Sequence, residues 1–221
     1  MDKININQKI LSKNDMDAMQ LRKRFKDNET FVVNIMSSPG SGKTSLLEKT
    51  LSKLSYKYKI AVIEGDLQTE NDKERIEKTG IKACQIQTGG ACHLEAKEIE
   101  NKLPLIDGDN LDLLIIENVG NLVCPSEYDL GQDINMVLLS VTEGEDKPLK
   151  YPSMFFVSDV FVLNKIDLLP YVDFDADKAC QNAKAIKPNI EIFRVSCKSE
   201  EGVSDICDYF EKMILSKKKC S

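Results

Sequence analysis

The chain has 221 residues, 42% of them hydrophobic, with 30 basic against 36 acidic side chains and a formal charge of −6 at pH 7. That length can bury one full core, and the acidic balance argues against a nucleic-acid surface. No apolar run approaches the ~20 residues of a membrane span, and Met1 to Gln20 is polar and mixed rather than signal-like, so a cytoplasmic protein is expected.

In chain order, Met1 to Lys26 carries Ile6, Ile10, Met16, Met19, Leu21 and Phe25, which suggests an amphipathic helix or two. Residues 1–28 are read as a helical extension ahead of a domain over 29–221. Strand-like runs follow near 31–36, 59–63, 83–87, 112–117, 134–141, 159–163 and 191–195, with helical patterns near 44–56, 70–79, 92–102, 172–186 and 202–216. Such alternation predicts an α/β fold, a mostly parallel sheet flanked by helices on both faces, with ligands held at the carboxyl ends of the strands. The closing Lys217-Lys218-Lys219-Cys220 reads as a solvated helix end, and Cys220-Ser221 is not a prenylation box.

Between the first strand and its helix stands Ser38-Pro39-Gly40-Ser41-Gly42-Lys43-Thr44-Ser45. A strand that breaks on glycines and turns into a helix aims several backbone N–H groups at one point, where phosphate oxygens bind. Lys43 is expected to reach the β/γ-phosphates and the Thr44 hydroxyl to hold Mg²⁺. Ser37 takes the first position of the usual pattern, normally Gly, so this is a variant phosphate loop. Asn164-Lys165-Ile166-Asp167 then ends the sixth strand. A carboxylate at Asp167 can accept both N1–H and the exocyclic amine of guanine, whereas adenine would leave it desolvated and unpaired. Ser196-Cys197-Lys198 follows the last strand as a further base-contacting loop, so the ligand is read as GTP. A small-molecule kinase is disfavoured by the guanine element and by the absence of an Arg-rich lid.

Asp66 and Glu117 end the second and fourth strands. Each can bind Mg²⁺ directly or through water, a small hard cation that keeps several waters; the alternative for Asp66 is a helix N-cap. Together with Lys43 they are the candidate catalytic groups. No Gln is placed to orient the attacking water, so intrinsic hydrolysis is expected to be slow and to need a partner or dimerisation. Of seven cysteines, Cys84, Cys180 and Cys207 read as core thiols. Cys92 adjoins His93, the single histidine, and Cys124 follows the Glu117 loop. Both loops are expected to leave the same sheet edge. Thiolate and imidazole there would suit Zn²⁺ or Ni²⁺, with an open position or ligands shared across a dimer; the alternative is a regulatory GTP switch with structural thiols.

The runs Ser37 to Glu48, Glu64-Gly65-Asp66-Leu67-Gln68-Thr69, Thr88-Gly89-Gly90-Ala91-Cys92-His93-Leu94, Glu117 to Pro125 and Ser140 to Pro148 carry a family resemblance. Over about residues 30–200 the chain resembles the hydrogenase nickel-incorporation GTPases, a branch of the SIMIBI-class P-loop GTPases. Related chaperones of urease or cobalamin enzymes are not expected to share the whole Glu117 to Pro125 run. The resemblance implies GTP hydrolysis coupled to nickel delivery and a homodimer in the GTP state. It implies as partners a companion nickel/zinc-binding maturation protein and the hydrogenase large-subunit precursor. By the same resemblance, Cys92, His93 and Cys124 form the metal site near the dimer interface, Asp66 and Glu117 lie in switch regions, and residues 140–148 respond to nucleotide. Some relatives carry an N-terminal Cys-x-x-Cys-Gly-Cys or His-rich tract; Met1 to Thr30 has neither Cys nor His, so high-affinity nickel storage is not expected.

Overall fold

The computed structural model describes the backbone over residues 3–66 and 71–219, and side chains over 11–65 and 74–219. The Asp66 carboxylate, the segment Leu67-Gln68-Thr69 and Cys220 therefore lie outside what is described. A long helix α1 (Lys3–Asp27) leads into β1 (Phe31–Ser37), α2 (Lys43–Leu54), β2 (Ile60–Asp66), α3 (Asn71–Glu77), β3 (Lys82–Gln87) and α4 (Ala96–Lys102). β4 (Leu113–Gly120), β5 (Ile134–Ser140), α5 (Lys147–Lys150), α6 (Pro152–Val157), β6 (Val160–Asn164), α7 (Ala176–Ile186), β7 (Glu191–Arg194) and α8 (Val203–Lys219) complete it.

The seven strands form one sheet in the order β3-β2-β4-β1-β5-β6-β7, every pairing parallel. The apolar runs are continuous because both faces are covered. Side chains alternate across the pleat, so β1 serves two cores. Phe31, Val33 and Ile35 pack with Leu46, Leu47 and Leu51 of α2 and with Ile206, Phe210 and Ile214 of α8. Val32 turns the other way, towards Ala18, Leu21 and Phe25 of α1 and Ile99 of α4. Met36 joins Phe155 of α6, Phe161 of β6 and Ala183 of α7 on that same side of β1. The expected sheet with helices on both faces is present, and among the described residues no strand is antiparallel.

Several element ends differ from the sequence reading: the helix expected from 172 begins at Ala176, where the Asp175 side chain caps it by accepting from the Lys178 N–H. The helix expected from Cys92 begins at Ala96, because Glu95 and Glu98 form a reciprocal capping box and the Asn14 side chain accepts from the Ala96 N–H at 2.9 Å. Cys92 and His93 are thus left in the preceding loop. The stretch between the fifth and sixth strands holds two short helices, α5 and α6, that helical periodicity did not reveal. Among the described residues no helix is long and apolar enough to cross a membrane.

Candidate nucleotide and metal site

β1 ends at Ser37, and the chain reverses through Ser38 to Gly42 before α2 begins at Lys43. Gly42 caps that helix with φ 101° and ψ 30°, a left-handed backbone that costs an L side chain about 1–2 kcal/mol. It also lies against the base motif, where an added Cβ would fall 2.5 Å from Asn164 Nδ2. The Lys43 ammonium donates to Ser37 Oγ at 2.9 Å, so the serine at the variant first position holds the phosphate-loop lysine. Thr44 Oγ1 donates to Glu117 Oε1 at 3.2 Å, and both side chains are buried. Gly40, Gly42, Lys43, Thr44, Ser45, Arg75, Glu117 and Lys165 line a cavity of about 310 Å³ above these groups. Pro39 sits exposed at the crest of the loop and Ser41 is buried beneath it. A hydroxyl beside a carboxylate is a hard oxygen donor pair, and it fits Mg²⁺.

The predicted base elements meet the same loop. Asn164 Nδ2 donates to Ser41 O at 2.9 Å, and Lys165 Nζ to Gly40 O at 2.7 Å. Ser196 Oγ donates to Asp167 Oδ1 at 2.6 Å and itself accepts from the Ser199 N–H at 3.1 Å, which fixes one carboxylate oxygen. Cys197 Sγ lies 3.5 Å from Asn164 Oδ1, and burial pushes its thiol above the usual range. Lys198 is exposed on the adjoining turn.

Cys92, His93 and Cys124 come together although 32 residues separate the two cysteines. β2 lies between their parent strands β3 and β4, and both loops leave the carboxyl edge of the sheet. The sulfurs are 2.7 Å apart as free thiols, and Cys92 Sγ is 3.8 Å from His93 Nδ1. One donor atom from each of the three lies within 4.8 Å of the others, all half-buried. Hydrogen bonding with Cys92, then burial, holds the Cys124 thiol above its ordinary range. Two sulfurs and an imidazole form a soft donor set that suits Ni²⁺ or Zn²⁺. Cys84, Cys180 and Cys207 are buried among apolar side chains, as expected of core thiols.

Sequence reasoning missed two side chains here. Tyr128 stacks on His93 with ring centroids 3.7 Å apart and planes at 16°, which orients the imidazole. Its neighbours Glu127 and Asp129 gave it no apolar pattern to stand out from. Arg75 reaches the phosphate cavity from α3, where a lone arginine in a polar helix carries no sequence mark.

The thiol–imidazole cluster and the phosphate loop are linked through β4 and β2. The Glu117 that meets Thr44 lies in β4, and Cys124 follows soon after that strand ends at Gly120. On the other side, Gly65 of β2 packs on Leu94, next to His93; a Cβ at Gly65 would lie 2.8 Å from Leu94 Cδ2.

Comparison with known proteins places this geometry. The family described as "CobW/HypB/UreG, nucleotide-binding domain" matches residues 31–194. The Azotobacter vinelandii hydrogenase maturation factor HypB is 50% identical over 95% of this chain and 69% of its own length. The solved structure of HypB from Archaeoglobus fulgidus superposes with a TM-score of 0.87 at 38% identity, over 92% of this chain and 99% of that one. HypB from Helicobacter pylori, solved in complex with nickel, gives 0.87 at 43% identity over 92% and 96%. With phosphate loop, base motif and thiol–imidazole cluster on one sheet edge, the chain belongs to the CobW/HypB/UreG nucleotide-binding family and, within it, to the HypB hydrogenase maturation factors.

Proposed function

We propose that the chain is a GTP-hydrolysing metallochaperone that hands nickel towards [NiFe]-hydrogenase, with GTP-dependent dimerisation coupled to metal binding. The observation that carries this reading is the convergence of Cys92, His93 and Cys124 just beyond the strand whose Glu117 touches Thr44. In it, Pro39 to Ser45 enclose the phosphates and Lys43 leaves Ser37 for the β/γ-oxygens. Asn164, Lys165 and Asp167 hold guanine, and Ser196 to Lys198 close over it. Thr44 and Glu117 would hold Mg²⁺, joined by Asp66, and that ion neutralises charge on the phosphates when bound.

Nickel, or zinc, is the cargo. Three ligands leave one coordination position, which a second copy of the chain or a receiving protein can fill. The natural correspondents are a companion nickel/zinc-binding maturation protein and the hydrogenase large-subunit precursor. GTP settles Thr44 against its cation and Glu117 with it; β4 and the Gly65–Leu94 contact pass that arrangement to the two metal loops, and hydrolysis releases it. The nickel-bound Helicobacter pylori relative supports the identity of the cargo.

The test is Ni²⁺ titration of the apo and GTP-analogue-loaded chain, for wild type and for Cys92→Ala, His93→Ala and Cys124→Ala. Each variant should bind nickel more weakly, and nucleotide should tighten binding in the wild type by the factor with which nickel tightens dimerisation. Affinity should also fall at lower pH, since the thiols must lose protons. Equal affinity in all four proteins removes the site; equal affinity with and without nucleotide removes the coupling.

A further inference from the structure

Hydrolysis of GTP needs positive charge where the bond to the γ-phosphorus breaks. Water oxygen bonds to that phosphorus as the bond to the β,γ-bridging oxygen opens. The electron pair stays on GDP, and the protons of water end on the released phosphate and solvent. Charge growing on the transferred group and on the β-phosphate is what an arginine offsets in the faster members of such enzymes.

Among the described residues that line the phosphate cavity is one guanidinium. Arg75 arrives from α3, an element separate from both the phosphate loop and β4. Its Nε donates to Glu48 Oε1 at 3.0 Å and its Nη2 to Glu48 Oε2 at 2.6 Å, a two-pronged grip on a carboxylate of α2. The same Nη2 donates to Ser45 Oγ at 3.1 Å, and Ser45 directly follows Thr44. Ser45 and Glu48 are three apart and share one helix face. The guanidinium is therefore moored beside the first turn of α2, at the rim of the cavity that Lys43, Thr44 and Glu117 line. The pair is 39% and 29% exposed, so its mutual attraction is screened and weak. A phosphate carries more charge than a carboxylate and accepts the same planar fork.

Resting on the GTPase reading above, we propose that Arg75 is a catalytic residue: its guanidinium leaves Glu48 for the γ-phosphate of bound GTP and stabilises the transferring group. Glu48 is a parking place that keeps the arginine at the rim while the cavity awaits nucleotide. The side chain makes this exchange by rotating about its own bonds, while α2 keeps its place.

The experiment measures single-turnover GTP hydrolysis by the full chain with Mg²⁺, alongside binding of fluorescent GDP with and without aluminium fluoride. Arg75→Ala should slow hydrolysis by about 30-fold, the scale that separates GTPases with an arginine in cis from those without. It should lose the fluoroaluminate complex while binding GDP within about threefold of wild type, the pattern of an interaction made only in the transition state. Arg75→Lys should recover part of the rate, because a point charge replaces the fork. Glu48→Ala, which removes the ion pair from its other end, should hydrolyse at or above the wild-type rate. Wild-type hydrolysis by Arg75→Ala overturns the proposal. So does a Glu48→Ala protein as slow as Arg75→Ala, since the ion pair would then be structural. A wild-type chain with no GTP turnover overturns the GTPase reading itself, whereas wild-type turnover untouched by Arg75→Ala leaves that reading standing and removes the arginine alone.

Discussion

Replacing Gly42 by alanine tests how tightly the phosphate loop and the guanine motif are bound together. The new methyl meets two costs. The backbone at φ 101° is left-handed, about 1–2 kcal/mol for an L side chain. The Cβ would also stand 2.5 Å from Asn164 Nδ2, so the carboxamide must move and lose its bond to Ser41 O. Asn164 and Ser41 are each 1% exposed, and a buried hydrogen bond lost in this way costs about 1–3 kcal/mol. Alanine restricts the unfolded chain and returns about 0.4–1 kcal/mol. The balance is a loss of roughly 1–5 kcal/mol, read as a lower urea midpoint at unchanged slope. Gly40→Ala supplies the control: its φ is also positive, at 75°, but no atom lies within 4 Å of the added Cβ. The difference between the two variants isolates the Asn164 contact. If Gly42→Ala were as stable as wild type, or as stable as Gly40→Ala, the direct abutment of the two motifs would be refuted.

Three further perturbations test neighbouring parts of the site. Lys43→Ala should lose most GTPase activity with an unchanged circular dichroism spectrum; normal turnover would remove the phosphate-loop assignment. Asp167→Asn should weaken GTP by about 100-fold, the scale of a lost charged hydrogen bond, and improve xanthosine triphosphate, whose C2 oxygen can accept from the new amide. A variant that keeps the wild-type preference for GTP would place base recognition elsewhere. Gly65→Ala pushes a methyl against buried Leu94 and should destabilise the chain by about 1–3 kcal/mol. It should also weaken nickel binding, because Leu94 adjoins His93; unaltered affinity would separate the β2 contact from the metal loop.

All seven strands were legible because each is a short apolar run bounded by polar or glycine-containing turns, and continuous burial makes such runs stand out. The phosphate loop and the Asn164 to Asp167 element, which the structure brings together, stood out for a different reason, since each sets residue types at fixed spacing. α5 and α6 were not: Lys147-Pro148-Leu149-Lys150 and Pro152 to Val157 span four and six residues, too short for helical periodicity, and each opens near a proline. The start of α4 was misplaced because the residue that satisfies its first N–H, Asn14, lies in α1 and far away in sequence. Tyr128 and Arg75 escaped for the same physical reason. Their partners, His93 and Glu48, are reached only once the sheet has brought separate loops to one edge.

The strand order also governs how the chain can be assembled. β1 is the first strand to be made, yet it lies in the middle of the sheet, where Phe31 pairs with Leu113 and Val33 with Ile134. Neither neighbour exists until the chain has been extended past its midpoint, β4 beginning at Leu113 and β5 at Ile134. Closing such distant parallel pairs precedes the contacts that reward it, so folding is slow and belongs to the domain as a whole. Val32, Val33, Ile35 and Met36, all 0% exposed in the finished fold, are uncovered on the nascent chain throughout that interval. This is the condition under which unfinished chains aggregate. The yield of folded protein during synthesis is therefore a quantity that substitutions in β1 would depress before they altered anything measurable in the purified molecule.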